Sequence, residues 1–277
     1  MARSAGGGGP RQPLSAKKPG KAAQKAAPVN AAVKPVVKKA TRSMTKTNGQ
    51  KPSQRAALVS RSPKTKADKL AIATVVLERL KAEYPDAHCE LDYRTPFELL
   101  CATILSAQCT DVRVNMVTPV LFARYPNAES LSVARQEDVE EIVRTTGFFR
   151  AKAKSLIGMG VMLVDRFGGE VPRTVAELVP LPGVGRKTAN VVLGNAFGIN
   201  EGVVVDTHVQ RLARRLGLTR EADPIGIEKA LMPLFPREDW ALLSHLLIWH
   251  GRRRCAARKP DCAACVVGEI CPSREAL

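Results

Sequence analysis

Residues 181–192 read LPGVGRKTANVV and join two helical runs through a turn that contains two glycines. The apolar periodicity on either side predicts a helix, a tight turn and a second helix. Gly183 and Gly185 permit positive φ angles and leave backbone N–H groups uncovered by side chains. These groups lie at the N-terminus of the helix that begins near Arg186, where partial positive charge collects. The stretch therefore predicts a turn that binds phosphate without reading a base sequence.

The same turn could also be an ATP-binding P-loop or a plain interhelical turn. An ATP-binding P-loop is excluded, because Arg186 stands where the glycine before the lysine belongs and no strand leads into the turn. A plain interhelical turn would need only the two glycines, whereas Pro182 and the adjacent cations Arg186 and Lys187 favour a phosphate site. Placement in the first turn of a helix, beside Arg186, disfavours the ammonium form of Lys187 and suits a nucleophilic amine.

The rest of the body also follows a helical pattern. Apolar positions recur at helical spacing from residue 68 onward, and Thr95 with Pro96 is typical of a helix start. The only strand-like segment is GVVVD, residues 202–206. We therefore predict an all-α fold. The predicted helical runs are 68–85, 95–108, 112–124, 129–133, 137–145, 150–167, 174–180, 186–196, 207–216, 225–234 and 238–250.

Positive charge is concentrated at the N-terminus. The 277 residues have a formal net charge of +17, and residues 1–66 hold 11 Lys, 5 Arg and no acidic residue. The other 211 residues are nearly balanced, with 27 basic and 26 acidic side chains. Residues 1–66 also contain seven prolines and no aromatic residue, so they cannot bury enough apolar surface to offset their ordering entropy. We expect a disordered basic tail attached to a folded body.

Several classes of protein are disfavoured by the same sequence. It contains no run of about 18 apolar residues, which argues against a transmembrane helix. The N-terminus lacks the apolar region of a secretory signal, and the tail lacks the Arg preference and amphipathic period of a mitochondrial transit peptide. Met44 is an alternative start of the chain.

Four of the seven cysteines lie close together near the C-terminus with the spacing C-x6-C-x2-C-x5-C. Four thiolates on a short segment can surround zinc or an iron–sulfur cluster. Spacing alone does not separate these two, although the x6 gap is longer than in the usual zinc ribbon and favours a cluster. A pair of disulfides is the alternative, which a reducing compartment disfavours. The predicted ligands are Cys255, Cys262, Cys265 and Cys271.

Basic residues surround this cysteine set. They either compensate the negative charge of four thiolates or contact a DNA backbone, and both roles are compatible. The loop between Cys255 and Cys262 carries Arg258 and Lys259, which suits phosphate contacts. The neighbouring cations are Arg252, Arg253 and Arg254. The remaining cysteines, Cys89, Cys101 and Cys109, are predicted to be core thiols.

Five features together resemble endonuclease III, the helix-hairpin-helix DNA glycosylase/AP lyase family of base excision repair. They are LPGVGRKTANVVL (181–193), VVVDTHV (203–209), ILSAQCTD (104–111), HGRRRC (250–255) and the cysteine spacing. The resemblance covers 68–277 and implies a [4Fe-4S] cluster on the four cysteines. It also implies two helical domains that flank a DNA-binding cleft. These are a six-helix domain at 89–200, with the hairpin at 174–196, and an iron–sulfur cluster domain at 67–88 and 201–277.

The resemblance places the catalytic pair on Lys187 and Asp206. The lysine directly after the hairpin is the family's nucleophile, and the aspartate before "TH" is its catalytic partner. Taken alone, Asp206 fits better as the N-cap of the helix that follows. An N-cap aspartate can fill both roles if its second oxygen faces the cleft.

A glycosylase flips its target nucleotide out of the duplex and fills the gap. By resemblance Gln108 is the plug and Phe148 is the wedge on the opposite side. The family often has a leucine at the wedge, so the pair Phe148–Phe149 is a departure, and core packing is the alternative role for Phe148. Ser106 and Asp111 are expected to shape the cleft.

The hairpin is expected to grip the DNA backbone. Its predicted DNA-binding residues are Leu181, Pro182, Gly183, Val184, Gly185 and Arg186. The histidines His208, His245 and His250 are predicted to be hydrogen-bonded structural residues and not catalysts.

These inferences together predict a bifunctional DNA glycosylase/AP lyase that acts on oxidised or ring-saturated pyrimidines. The expected partner is damaged double-stranded DNA, and the expected setting is a monomer in the cytoplasm, associated with a bacterial nucleoid and not with a membrane. A monofunctional glycosylase is one alternative, which Lys187 disfavours. A non-enzymatic hairpin DNA-binding protein is the other, which would not need both Lys187 and Asp206.

Overall fold

Eleven α-helices and four short 3₁₀ turns form the regular structure of this chain within Pro63 and residues 65–274, the part that the computed structural model describes. No strand occurs among these residues, so the all-α prediction is confirmed there. The predicted tail, residues 1–66, lies almost entirely outside the described residues. No helix within 65–274 is long and apolar enough to cross a membrane. The α-helices are α1 (Lys66–Glu83), α2 (Pro96–Leu105), α3 (Asp111–Arg124), α4 (Ala128–Ser132), α5 (Gln136–Val143), α6 (Phe149–Phe167), α7 (Val175–Leu178), α8 (Arg186–Ala196), α9 (Thr207–Arg215), α10 (Pro224–Leu231) and α11 (Trp240–Arg253). The 3₁₀ turns are Arg144–Thr146, Met232–Leu234, Arg237–Asp239 and Gly268–Ile270.

Helix starts follow the capping residues in the sequence. Helix α1 begins two residues before the predicted position, because Thr65 and Asp68 form a reciprocal capping box. Helix α2 begins as predicted, with the Thr95 side chain accepting from the N–H of Glu98 and Pro96 in the first turn. Every residue of α2 from Phe97 to Leu105 is buried, which explains its lack of a polar face.

The strand-like segment at residues 202–206 does not form a strand. This segment is irregular and leads directly into α9. Val203, Val204 and Val205 are buried, and the N–H of Val204 donates to Ser244 Oγ at 2.9 Å. The apolar run reflects burial against α11, because a side-chain hydroxyl, and not a neighbouring strand, satisfies this backbone group.

The buried apolar residues form two separate cores. The first contains residues between Leu91 and Leu193, from α2 and α3 to α8. The second combines α1 with residues between Val203 and Val267, including α9, α10 and α11. The domain boundaries given by the sequence remain a prediction. The segment from α8 to α9 connects the two cores, so side chains at its ends can face a common space.

Candidate active site

A cavity of about 430 Å³ is lined by residues from both cores. The two predicted catalytic residues and the two residues predicted to shape the cleft line it together: Lys187, Asp206, Ser106 and Asp111. Gln108 lies at its edge and also lines a neighbouring depression. The structure therefore brings the predicted catalytic pair into one space, although the two residues belong to different helices.

The turn before Lys187 has two glycines with different roles. Gly183 has a φ of +78°, and a Cβ there would lie 2.9 Å from Ser155 Cβ. Gly185 is the N-cap of α8 in an extended conformation with a φ of −101°, so of the two glycines that permit a positive φ only Gly183 adopts one. A Cβ on Gly185 would meet no atom within 4 Å. Gly185 also provides no side chain to cap α8, so the first-turn N–H groups beside Lys187 stay uncovered.

Asp206 is the N-cap of α9, as the sequence predicted. Its Oδ1 accepts from the N–H groups of His208 and Val209, both at 2.8 Å. Both capping bonds use Oδ1, which leaves Oδ2 for the cavity that Asp206 lines. Asp206 can therefore cap α9 through Oδ1 and act on a ligand through Oδ2.

Asp111 links the two predicted catalytic residues electrostatically. Burial raises the pKa of the Asp111 carboxyl, the negative charge of Asp206 raises it further, and the positive charge of Lys187 opposes both effects. Asp111 Oδ2 also accepts from Arg252 Nη2 at 2.8 Å. Arg252 forms a second ion pair, with Glu90. Three charged groups therefore act on one another within the cavity, and Arg252 holds one of them in place.

Arg186 does not form a free cation pair with Lys187. Its Nε and Nη2 donate to the two carboxylate oxygens of Glu228 on α10, at 2.9 and 3.0 Å. Glu228 is buried and also accepts from Asn190 Nδ2 at 3.0 Å. The charge that the sequence suggested would act on Lys187 is thus largely neutralised, and the Arg186 side chain instead ties the start of α8 to the second core.

The remaining hairpin residues divide by burial. The side chains of Leu181 and Val184 are buried in the first core, whereas Gly183 and Gly185 are exposed and Pro182 is half-buried. Only backbone groups of Leu181 and Val184 could therefore reach a ligand.

Gln108 and Phe148 line a common depression of about 280 Å³ beside the hairpin. Both have left-handed backbone angles, with φ values of 52° and 48°. Phe148 is 67% exposed, so the core-packing alternative is wrong for this residue. Phe149 is the member of the aromatic pair that packs against the first core.

The four C-terminal cysteines line a second cavity, and all are free thiols, so the disulfide alternative is not realised. Burial raises the pKa of Cys265 and Cys271, and the negative charge of the neighbouring cysteines adds to the effect. Within residues 65–274, no three His, Cys, Asp or Glu side chains are placed to hold a single metal ion.

The cations around the cysteines are mostly paired. Arg254 forms an ion pair with Asp261 at 2.7 Å, and the Arg253 guanidinium lies 3.7 Å from the centroid of the Trp249 ring. Arg258 and Lys259 are exposed on the loop between the first two cysteines. Of the five cations that the sequence grouped together, these two are the ones best placed to meet a ligand from solvent.

Sequence reasoning missed two neighbours of the cysteines. Arg215 Nη1 donates to Cys255 Sγ at 3.2 Å, and His250 Nε2 lies 3.3 Å from Cys265 Sγ. His250 Nδ1 is also 3.0 Å from Tyr84 Oη, and burial lowers the pKa of His250 to about 4. The interpretation of His250 as a hydrogen-bonded residue holds, but its cysteine partner lies 15 residues away, beyond any helical spacing.

Comparison with known proteins gives consistent matches. The family described as HhH-GPD superfamily base excision DNA repair protein matches residues 101–237. Endonuclease III of Synechocystis sp. is 56% identical over 210 residues, covering 76% of this chain and 96% of the relative. Endonuclease III of Escherichia coli K12 is 39% identical over 200 residues, covering 72% and 94%. A solved structure of a trapped endonuclease III–DNA covalent intermediate has 43% sequence identity to this chain and a TM-score of 0.71. The match covers 75% of this chain and 97% of that one.

Proposed function

Because the chain belongs to the endonuclease III family of the HhH-GPD superfamily, we propose that it is a bifunctional DNA glycosylase and AP lyase of base excision repair. The proposed substrates are oxidised or ring-saturated pyrimidines in double-stranded DNA, bound by a monomer in a bacterial cytoplasm. The observation that carries the proposal is that Lys187 and Asp206, at the starts of α8 and α9, line one cavity.

The two side chains have complementary roles in the proposed reaction. Breaking the bond between C1′ and the base leaves positive charge on the sugar, which the Asp206 carboxylate stabilises. The electron pair of that bond leaves with the base, which is then protonated. Lys187, once its ammonium has given up a proton, bonds to C1′ through its nitrogen, which then loses one further proton. The C1′–O4′ ring bond breaks and O4′ takes up a proton, which leaves a protonated Schiff base between C1′ and Lys187. Removal of a C2′ proton then expels the 3′ phosphate by β-elimination, and water releases the sugar from Lys187.

Nucleotide extrusion is assigned to the residues around the second depression. Gln108 and Phe148 both line it from turns with left-handed backbone angles, and we propose that they fill a gap in a duplex. The exposed N–H groups beside Gly185 would hold a backbone phosphate at the N-terminus of α8. The exposed cations Arg258 and Lys259 would extend the contact along the backbone.

The four cysteines fit the [4Fe-4S] cluster of this family. They are free, they line one cavity, and Arg215, Arg254 and Arg274 line it with them. Thiolates around a single zinc lie only about 2.3 Å from the ion, whereas a cluster spreads its ligands more widely. Bound there, the cluster would supply structural cross-linking of the segment that carries Arg258 and Lys259.

The test of the proposed function is borohydride trapping on duplexes that carry different lesions. A bifunctional enzyme gives a covalent adduct and strand incision on oxidised pyrimidines. Release of the base without an adduct would instead identify a monofunctional glycosylase. Binding without either product would identify a non-enzymatic DNA-binding protein.

The cluster assignment predicts a brown protein with broad visible absorbance and about four irons per chain. Cys265→Ser should lose most of this iron and colour, because one of four thiolates is gone. Cys89→Ser, outside the cysteine set, is the matched control and should keep both. Metal analysis and absorbance spectra test this, and a colourless protein with stoichiometric zinc would contradict the assignment.

The basic segment at residues 1–62 predicts additional affinity that does not depend on sequence. Each phosphate contact contributes a slope of about −0.9 to the dependence of log K on log salt concentration. Deleting 1–62, which leaves the Thr65 cap of α1 intact, should flatten this slope and spare incision at an abasic site. Binding titrations over a range of salt concentrations test the prediction, and an unchanged slope would contradict it.

A further inference from the structure

Lys152, near the start of α6, is a buried lysine. It is only 5% exposed, although lysine is among the residues least often buried. Its Nζ donates to two backbone carbonyls, those of Leu105 and Thr146, each at 2.8 Å. Burial lowers the pKa of Lys152, so these bonds stabilise a charge in an unfavourable environment. The role of Lys152 therefore depends on the two chain segments to which these carbonyls belong.

Both carbonyls are at the ends of helical segments. Leu105 is the last residue of α2, and Thr146 is the last residue of the 3₁₀ turn Arg144–Thr146. The C-terminal end of a helix carries partial negative charge and unpaired carbonyls, which a cation satisfies. The ammonium of Lys152 therefore joins two chain segments whose bonded residues, Leu105 and Thr146, are 41 residues apart in the sequence.

From these two carbonyls the chain continues directly to the two residues of the depression. Gln108 follows Leu105 by three residues, and Phe148 follows Thr146 by two. Both adopt left-handed backbone angles, which side chains other than glycine rarely take. Strain of this kind persists where surrounding structure fixes it. Lys152 lines the same depression as Gln108 and Phe148. It does not line the cavity that contains Lys187 and Asp206.

We propose that Lys152 is a positioning residue for nucleotide extrusion: its ammonium fixes the separation of the Gln108 and Phe148 turns so that both side chains enter a duplex together. This inference rests on the proposed function, because it assumes that Gln108 and Phe148 fill the gap left by a flipped nucleotide. Lys152 acts through these two residues and touches no reacting atom.

The test compares incision of an abasic site in a duplex with incision of the same site in a single strand, under single-turnover conditions. Only the duplex requires unstacking and filling of a gap. Lys152→Met keeps the length of the side chain and removes its donors. We expect the duplex-to-single-strand rate ratio to fall about tenfold or more, because two buried carbonyls lose their partner. Lys154→Met, an exposed lysine on the same helix, is the matched control and should leave the ratio unchanged.

A double-mutant cycle separates positioning from a general structural effect. In a chain that carries Gln108→Ala and Phe148→Ala, adding Lys152→Met should have no further effect on the ratio. If Lys152→Met does not fold, Lys152→Leu, which also removes the donor, takes its place in both measurements. Lys152→Gln, which keeps an uncharged donor on a side chain one atom shorter, should lower the ratio less than either of these variants. An unchanged ratio, or a full further decrease in the double-alanine background, would overturn the proposal. Failure of the parent protein to cut either strand would instead contradict the proposed function.

Discussion

Replacing Lys187 by alanine is expected to abolish the borohydride-trapped adduct and to slow incision at an abasic site by on the order of 10⁴-fold. Among the described residues, Lys187 is the lysine that lines the cavity with Asp206, so no other amine of that part of the chain is placed to replace it at C1′. The measurement is denaturing gel analysis of adduct and cut strand after reaction with an abasic duplex. Lys154→Ala, which removes an exposed lysine from α6, should retain both products.

The loss should be chemical and not a loss of fold. Lys187 is exposed in the first turn of α8, and alanine is the residue with the best helix propensity. The melting temperature of the variant should therefore match that of the parent. A persistent adduct in Lys187→Ala would contradict the assignment. Repeating the trapping with residues 1–62 deleted would then establish whether a lysine of the basic tail had reacted.

The local features of the site could be predicted from the sequence. The helix–turn–helix around residues 181–192, the cap at Asp206 and the grouping of the four cysteines each depend on residues close together in the chain. Both glycines of the turn permit a positive φ, and the sequence could not indicate which of them adopts it. Only Gly183 faces a neighbouring side chain, Ser155, which comes from α6.

The contacts that organise the site could not be predicted from the sequence. Arg186 pairs with Glu228 across 42 residues, Arg215 reaches Cys255 across 40, and Lys152 reaches Leu105 across 47. Each depends on how helices pack in three dimensions, which no periodicity in the chain records. Phe148 and Phe149 illustrate the same limit, since adjacent aromatic residues look alike until the turn at Gly147 directs one outward and one into the core.

The two roles of Asp206 can be separated by substitution, because asparagine and aspartate cap helices about equally well. Asp206→Asn keeps an oxygen for the N–H groups of His208 and Val209 but removes the charge that we propose acts on C1′. We expect base release to slow by about 10²- to 10³-fold, while the free energy of unfolding changes by less than about 0.5 kcal/mol. Asp206→Ala removes both functions, so it should show a similar loss of activity and a further loss of about 1 kcal/mol in stability.

Single-turnover base release and urea denaturation together decide between the two roles. If Asp206 were only a cap, Asp206→Asn would retain the parent's rate, and Asp206→Ala would lose stability without a matching loss of base release at saturating DNA. If it were only catalytic, the two variants would be equally stable. From the hydrogen bonds to Oδ1 and the position of Asp206 in the cavity we expect the third result. In that result both variants are slow and only the alanine variant is destabilised, because one oxygen of the carboxylate caps α9 and the other is free to act on the sugar proposed to bind in the cavity.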